Sequence, residues 1–189
     1  MAKNFDLTSN ASFIVYRIET LTKMKTSKKM ISNYIELEKK TGGFPTELEF
    51  VTCFYDEGTG SSGSLFKNTK LGNYILAYTG TNYYFDREKD LYADVVGVCL
   101  GQGEHYSPCY RFYKRMVKRY GDNIILTGHS LGGNIAMRVA LEYNVKETIV
   151  YNAAPLYLKG GVDIFMTADM DEVLYAERIA RYNRKIKKI

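Results

Sequence analysis

Apolar residues set two rhythms along this chain. Phe13, Ile14, Ile18 and Leu21 recur at helical spacing, and Met30, Ile31, Tyr34, Ile35 and Leu37 continue the pattern, so residues 11–40 read as helical. Thr41-Gly42-Gly43-Phe44-Pro45 ends that region. Short apolar runs then replace the helical stripe. Phe50–Tyr55 and Ser64–Lys67 read as β segments around a glycine-rich turn at Gly58–Gly63, and Tyr74–Tyr78 reads as a central strand. A polar loop from Asn82 to Asp90 follows. Tyr106–Tyr120 predicts a helix, Ile124–Leu126 a buried strand, Asn134–Tyr143 a helix and Glu147–Tyr151 a strand. Val162–Met166 predicts the last strand, and Glu172 to about Arg184 the last helix.

From residue 106 onward the order is helix, strand, helix, strand, strand, helix. With the Tyr74 strand ahead of it, that order predicts an α/β fold, a mostly parallel sheet flanked by helices. No internal repeat or linker divides the chain. Residues 1–189 therefore predict a single domain: a helical region to residue 45, a core over 46–175, and a basic helix or tail over 176–189.

The densest chemistry lies at Asn123-Ile-Ile-Leu-Thr-Gly-His-Ser-Leu-Gly-Gly133. A buried strand runs into Gly128-His129-Ser130-Leu131-Gly132, and a helix follows. A G-x-S-x-G stretch in that context predicts a nucleophile elbow. The serine must sit in a strained turn, so its neighbours two positions away on each side must be nearly free of side chain. The helix behind it turns its first amides and positive dipole end toward a developing oxyanion. The Leu131 amide is one expected donor. A second is expected at the exit of the Tyr74 strand, Tyr78-Thr79-Gly80-Thr81, where Gly80 permits close backbone approach and the Thr81 hydroxyl adds a donor. Asp171, with Asp169 close behind, is the expected acid after the Val162 strand, although either aspartate could instead cap the last helix.

Composition narrows the class without naming the chemistry. Hydrophobic residues at 46% and charged residues at 25% are those of an ordinary globular protein. The net charge of +5 is uneven: Arg178, Arg181, Arg184, Lys185, Lys187 and Lys188 crowd the last dozen residues, and Lys23, Lys25, Lys28 and Lys29 form a second run. Such runs are usually solvated, and an anionic membrane surface is the partner the basic C-terminus would suit. No nucleic-acid motif accompanies them, so nucleic acid is not expected. Cys53, Cys99 and Cys109 form an odd set without metal-ligand spacing, which suits reduced thiols. With no signal-peptide core and no membrane-length apolar run, the expectation is a cytoplasmic protein that needs no cofactor and no metal.

Several stretches together resemble the class 3 lipases: Tyr74-Ile-Leu-Ala-Tyr-Thr-Gly-Thr81, Asp90-Leu-Tyr-Ala-Asp94, His105, the elbow itself, and Val150-Tyr-Asn-Ala-Ala-Pro155. The resemblance spans about residues 50–175 and is strongest at the elbow and at the strand ending in Gly80-Thr81. It implies an α/β-hydrolase fold and hydrolysis of acylglycerol, phospholipid or other esters through an acyl-serine. It implies Ser130 as nucleophile, Thr81 in the oxyanion hole and Asp171 as the acid. Leu91 stands where the family has tryptophan, and Tyr78-Thr79 where it usually has Phe-Arg.

One departure is chemical. The family carries its catalytic histidine after the acid, and residues 172–189 contain none. The sequence holds two histidines, His129 inside the elbow and His105, which resembles a family histidine that is not the base. Three expectations follow: the sequence is part of a longer or interrupted one, it is a catalytically silent hydrolase fold that binds lipid or a partner, or another group such as His105 or Lys185 serves as base. A lysine base would need desolvation, which so charged a tail does not suggest.

Overall fold

The computed structural model describes residues 2–80, 106–153, 158–159, 162–163 and 186–188. The Asn82–Asp90 loop, the candidates Thr81, His105, Asp169, Asp171 and Lys185, and the expected helix from Glu172 lie outside these residues.

Helix α1, Ala2–Lys23, buries Leu7, Ala11, Ile14, Val15 and Ile18, a stripe at helical spacing. It begins nine residues before the apolar periodicity did, and Leu7 extends the buried stripe toward the N-terminus. Helix α2, Lys28–Lys40, starts where the Met30 amide donates to Ser27 Oγ at 3.3 Å, and it buries Ile31 and Ile35 one turn apart. Strands β1, Leu48–Tyr55, and β2, Ser62–Asn68, form an antiparallel hairpin, and β2 pairs antiparallel with β3, Tyr74–Tyr78.

Helix α3, Ser107–Tyr120, leads to β4, Ile124–His129; helix α4, Leu131–Tyr143, leads to β5, Glu147–Tyr151. Both crossovers return the chain parallel, β3 to β4 and β4 to β5. Short strands β6, Leu158–Lys159, and β7, Val162–Asp163, pair with each other in a separate ribbon. Strand β8, Ile186–Lys188, adds to the main sheet parallel to β5. Among the described residues the main sheet has six strands in the order β1-β2-β3-β4-β5-β8. The expected α/β sheet is therefore mixed: antiparallel at the hairpin side and parallel from β3 onward.

The basic end corrects the sequence reading. It was expected as helix or tail, yet Ile186–Lys188 completes the sheet edge. Pairing with β5 satisfies backbone groups that local sequence cannot anticipate, and lysines in an outermost strand discourage further strand addition. Val162 likewise opens a two-residue strand in the small ribbon and does not extend the main sheet.

Strand residues alternate between two cores. Leu65, Leu76, Tyr78, Ile124, Leu126 and Val150 face α3 and α4, where they meet Cys109, Phe112, Tyr113, Met116, Ile135 and Val139. Phe66, Ile75, Ala77, Ile125 and Ile149 face the opposite way, onto α1 and α2. The alternation is the period-2 signature of strands covered on both faces. Helix α4 is buried almost all round, from Leu131 to Leu141, so it is the innermost of the described helices.

Candidate active site

The carboxyl ends of β3 and β4 lie side by side, with Tyr78 opposite Gly128, so both chains leave the sheet at the same place. At the β4 exit, Ser130 has φ 55° and ψ −124°, a conformation L-residues avoid. Holding it costs of order 1–3 kcal/mol, which the surroundings must over-determine. The backbone contacts do so. The Ser130 amide donates to the Tyr151 carbonyl at 3.1 Å, and its own carbonyl accepts from the Gly133 amide at 3.0 Å and the Asn134 amide at 3.3 Å. The side chain makes no capping bond to α4 and is partly exposed, so Oγ is not committed to holding the helix start.

The two glycines of the motif are required by contact. A Cβ on Gly128 would run into the backbone of Gly132, and one on Gly132 would strike the Tyr78 carbonyl oxygen and come within 2.9 Å of the Gly80 amide nitrogen. The elbow and the β3 exit therefore pack backbone on backbone. Leu131, buried beneath this contact, is the first residue of α4, so its amide has no carbonyl partner within the helix. The positive end of the helix dipole lies at the same point.

The β3 exit is fixed from two sides. On the hairpin side, Ser62 Oγ donates to Thr79 Oγ1 at 2.5 Å, and the Thr79 amide donates to the Ser62 carbonyl at 3.2 Å. On the other side stands Tyr16 of α1. Its Oη accepts from the Gly80 amide at 3.2 Å and donates to the His129 carbonyl at 3.2 Å. Burial raises the Tyr16 phenol to about 12, against a smaller lowering by the Gly80 amide, so it stays protonated near neutral pH. The Gly80 amide is thereby engaged, and an oxyanion donor from this strand has to come from farther along the chain.

The sequence candidates separate accordingly. Ser130 and Leu131 stand together at the elbow. The His129 ring lies against α1, stacked on Phe13 with centroids 5.7 Å apart. Tyr16 was not foreseen. It lies 113 residues from His129, and nothing in the local pattern separates it from its helical neighbours. Behind the elbow, Tyr106 Oη donates to Asn134 Oδ1 at 2.9 Å, and the Arg138 guanidinium lies 4.3 Å from the Tyr106 ring centroid, which locks the start of α3 to α4. Cys53 and Cys109 are free thiols, both raised by burial.

Similarity to known proteins follows the same geometry. The chain is 30% identical over 105 residues to the extracellular phospholipase A1 of Serratia liquefaciens, covering 53% of this chain and 29% of that protein. The aligned part thus spans less than a third of that relative's length. The fold is similar to that of lipase II from Rhizopus niveus, with a TM-score of 0.55 at 12% identity over 98% of this chain and 69% of the lipase. A family described as phospholipase-like, the Tle-like phospholipase domain, matches residues 46–160, which run from just before β1 to β6 and include the elbow. More than half of the chain lies within that match, and the chain belongs to the Tle-like phospholipase domain family.

Proposed function

We propose that this protein is a serine hydrolase of lipid carboxylic esters, phospholipids foremost, acting through an acyl-serine. The observation that carries the reading is Ser130: a non-glycine residue at φ 55°, at the start of a buried helix, with its hydroxyl free of capping duty. In the proposed cycle Ser130 Oγ attacks the ester carbonyl carbon while its proton passes to a base. The tetrahedral oxyanion takes bonds from the Leu131 amide and from Thr81. Collapse expels the alcohol, here the lysolipid, which receives the proton, and water then releases the fatty acid by the same steps in reverse. Asp171 orients the base. With the His129 ring stacked on Phe13, His105 is the imidazole proposed for that role.

The substrate class rests on the family and on the name of the Serratia relative. The basic residues between Arg178 and Lys188 suit an anionic bilayer that carries such a substrate. Among the described residues no helix is long and apolar enough to cross a membrane. The cytoplasmic placement expected from the sequence stands beside a relative whose name places it outside the cell, and the chemistry proposed serves in either setting.

The competing reading is a hydrolase fold used only for binding. Intact mass after exposure to a fluorophosphonate separates the two. A single adduct that is absent in Ser130→Ala is the expected result, with labelling lost again in His105→Ala. Folded protein that takes up no adduct would overturn the hydrolase reading for these 189 residues.

A further inference from the structure

We infer that Tyr16 is a positioning residue that sets the distance between the nucleophile elbow and the oxyanion-hole strand; this rests on the ester-hydrolase reading above. The hydroxyl stands between two backbone segments just past the last β3–β4 pair, Tyr78 opposite Gly128: Gly80, beyond the end of β3, and His129, the residue before the nucleophile. It accepts from one and donates to the other. The two bonds pull on the main chain immediately before Thr81 and immediately before Ser130, so any movement of Tyr16 Oη shifts both halves of the site.

The packing shows how little tolerance the place has. A methyl at Gly80 would sit 2.7 Å from Tyr16 Oη and 3.0 Å from both the His129 carbonyl oxygen and the Gly132 amide nitrogen. Three groups from three elements converge on Gly80 and leave no room for a side chain there. Apolar contacts alone would let two loops slide past each other by fractions of an ångström. A hydroxyl that must satisfy a donor and an acceptor at once does not permit that, because hydrogen bonds weaken steeply with misalignment. The role also needs the phenol to remain a donor, which its protonated state provides.

Acyl transfer is sensitive to this register, since the oxyanion donors must meet the oxygen where it will be in the transition state. A misplacement of about 1 Å costs on the order of a hundredfold in rate. Tyr16 Oη is bonded to main chain on both sides, so its loss should act on turnover and leave ground-state binding intact.

The test compares wild type, Tyr16→Phe and Thr8→Val at a temperature where all three are folded. Thr8 is the control because it also anchors α1, through a 2.7 Å hydrogen bond between its Oγ1 and Tyr151 Oη that does not bridge Gly80 and His129. The readouts are the second-order rate of fluorophosphonate labelling at Ser130, and kcat and KM on a short-chain ester. The expected result is a loss of about tenfold or more in labelling rate and kcat for Tyr16→Phe, with KM unchanged, and less than about twofold for Thr8→Val. Equal rates for Tyr16→Phe and wild type would overturn the inference, as would an equal loss in Thr8→Val. Wild type that takes no label removes the hydrolase reading and this role with it, whereas labelled wild type matched by Tyr16→Phe removes only the role. Should Tyr16→Phe fail to fold, difluorotyrosine at position 16 keeps the shape and acidifies the phenol. The alkaline limb of labelling should then move to lower pH, and an unmoved limb would overturn the inference.

Discussion

The two faces of the sheet hold the elbow by different means. On the α3 and α4 face the contacts are mostly rings and aliphatic side chains: Phe54 against Phe112 at 4.5 Å, Tyr113 against Tyr143 at 5.2 Å, and Ile135 and Val139 beneath the strands. The α1 face has an apolar base too, but its upper end is laced with directional bonds. Thr127 Oγ1 donates to the Thr8 carbonyl at 3.3 Å, the Thr8 and Tyr151 hydroxyls hydrogen-bond at 2.7 Å, and Tyr16 bridges Gly80 and His129. Apolar packing is tolerant in detail and strong in sum, while hydrogen bonds are modest in energy and exacting in geometry. One face keeps the elbow folded; on the other, the Tyr16 bridge keeps it in register. The family match begins at residue 46, so both α1 and Tyr16 lie ahead of it.

The largest effect expected is on the apolar face. Phe112→Ala removes a ring that is 2% exposed and in contact with Phe54, and should cost about 3–5 kcal/mol in urea denaturation. A cost below about 1 kcal/mol would mean that this face is not what holds the sheet together. Gly132→Ala comes next and attacks the seam between the faces. Its methyl meets backbone, which cannot rotate away, so about 3 kcal/mol is expected, the upper end of ordinary overpacking. It should also abolish labelling of Ser130 at temperatures where the protein is still folded, because relief of the clash separates the elbow from the β3 exit. Retained labelling in a destabilised Gly132→Ala would show that the close approach serves folding alone.

The same contrast governs what the sequence disclosed. Strands β3 and β5 match their expected bounds, Tyr74–Tyr78 and Glu147–Tyr151, because a buried apolar run closed by polar or glycine residues is a local signal. The start of α4 was expected at Asn134 and lies at Leu131: Gly132 and Gly133 look like helix breakers, yet they are helical residues where a Cβ would strike the Tyr78 carbonyl oxygen and the Ala153 side chain, respectively. The turn at Ser130 and Leu131 was legible for the same reason, since the motif, its strand and its helix are contiguous. Tyr16 was not, because a hydroxyl reaching a carbonyl 113 residues away leaves no local trace. Strand β8 was missed likewise, its pairing with β5 being settled by a sheet edge and not by its own basic sequence. Thr81, His105 and Asp171 lie outside the described residues.

The smallest and most graded effect expected is on alkaline stability, and it draws on both faces. Burial raises Tyr78, Tyr110 and Tyr113 on the α3 and α4 side, and Tyr16 and Tyr151 on the α1 side. A phenol raised in the folded state is deprotonated more readily when unfolded, so the unfolded chain binds fewer protons above about pH 10, the ordinary tyrosine value. Stability is then fully present below about pH 10 and falls as pH climbs through the folded values, about 12 for Tyr16. Thermal midpoints should be flat from about pH 8 to 9.5 and decline beyond. Tyr16→Phe deletes one of these groups and should make the decline slightly shallower. Tyr78→Phe should flatten it more, because Tyr78 is wholly buried and Tyr16 only half so. If Tyr16→Phe alone removed most of the alkaline slope, the polar face would be carrying the stability assigned here to the apolar one, and the division of labour between the faces would have to be reversed.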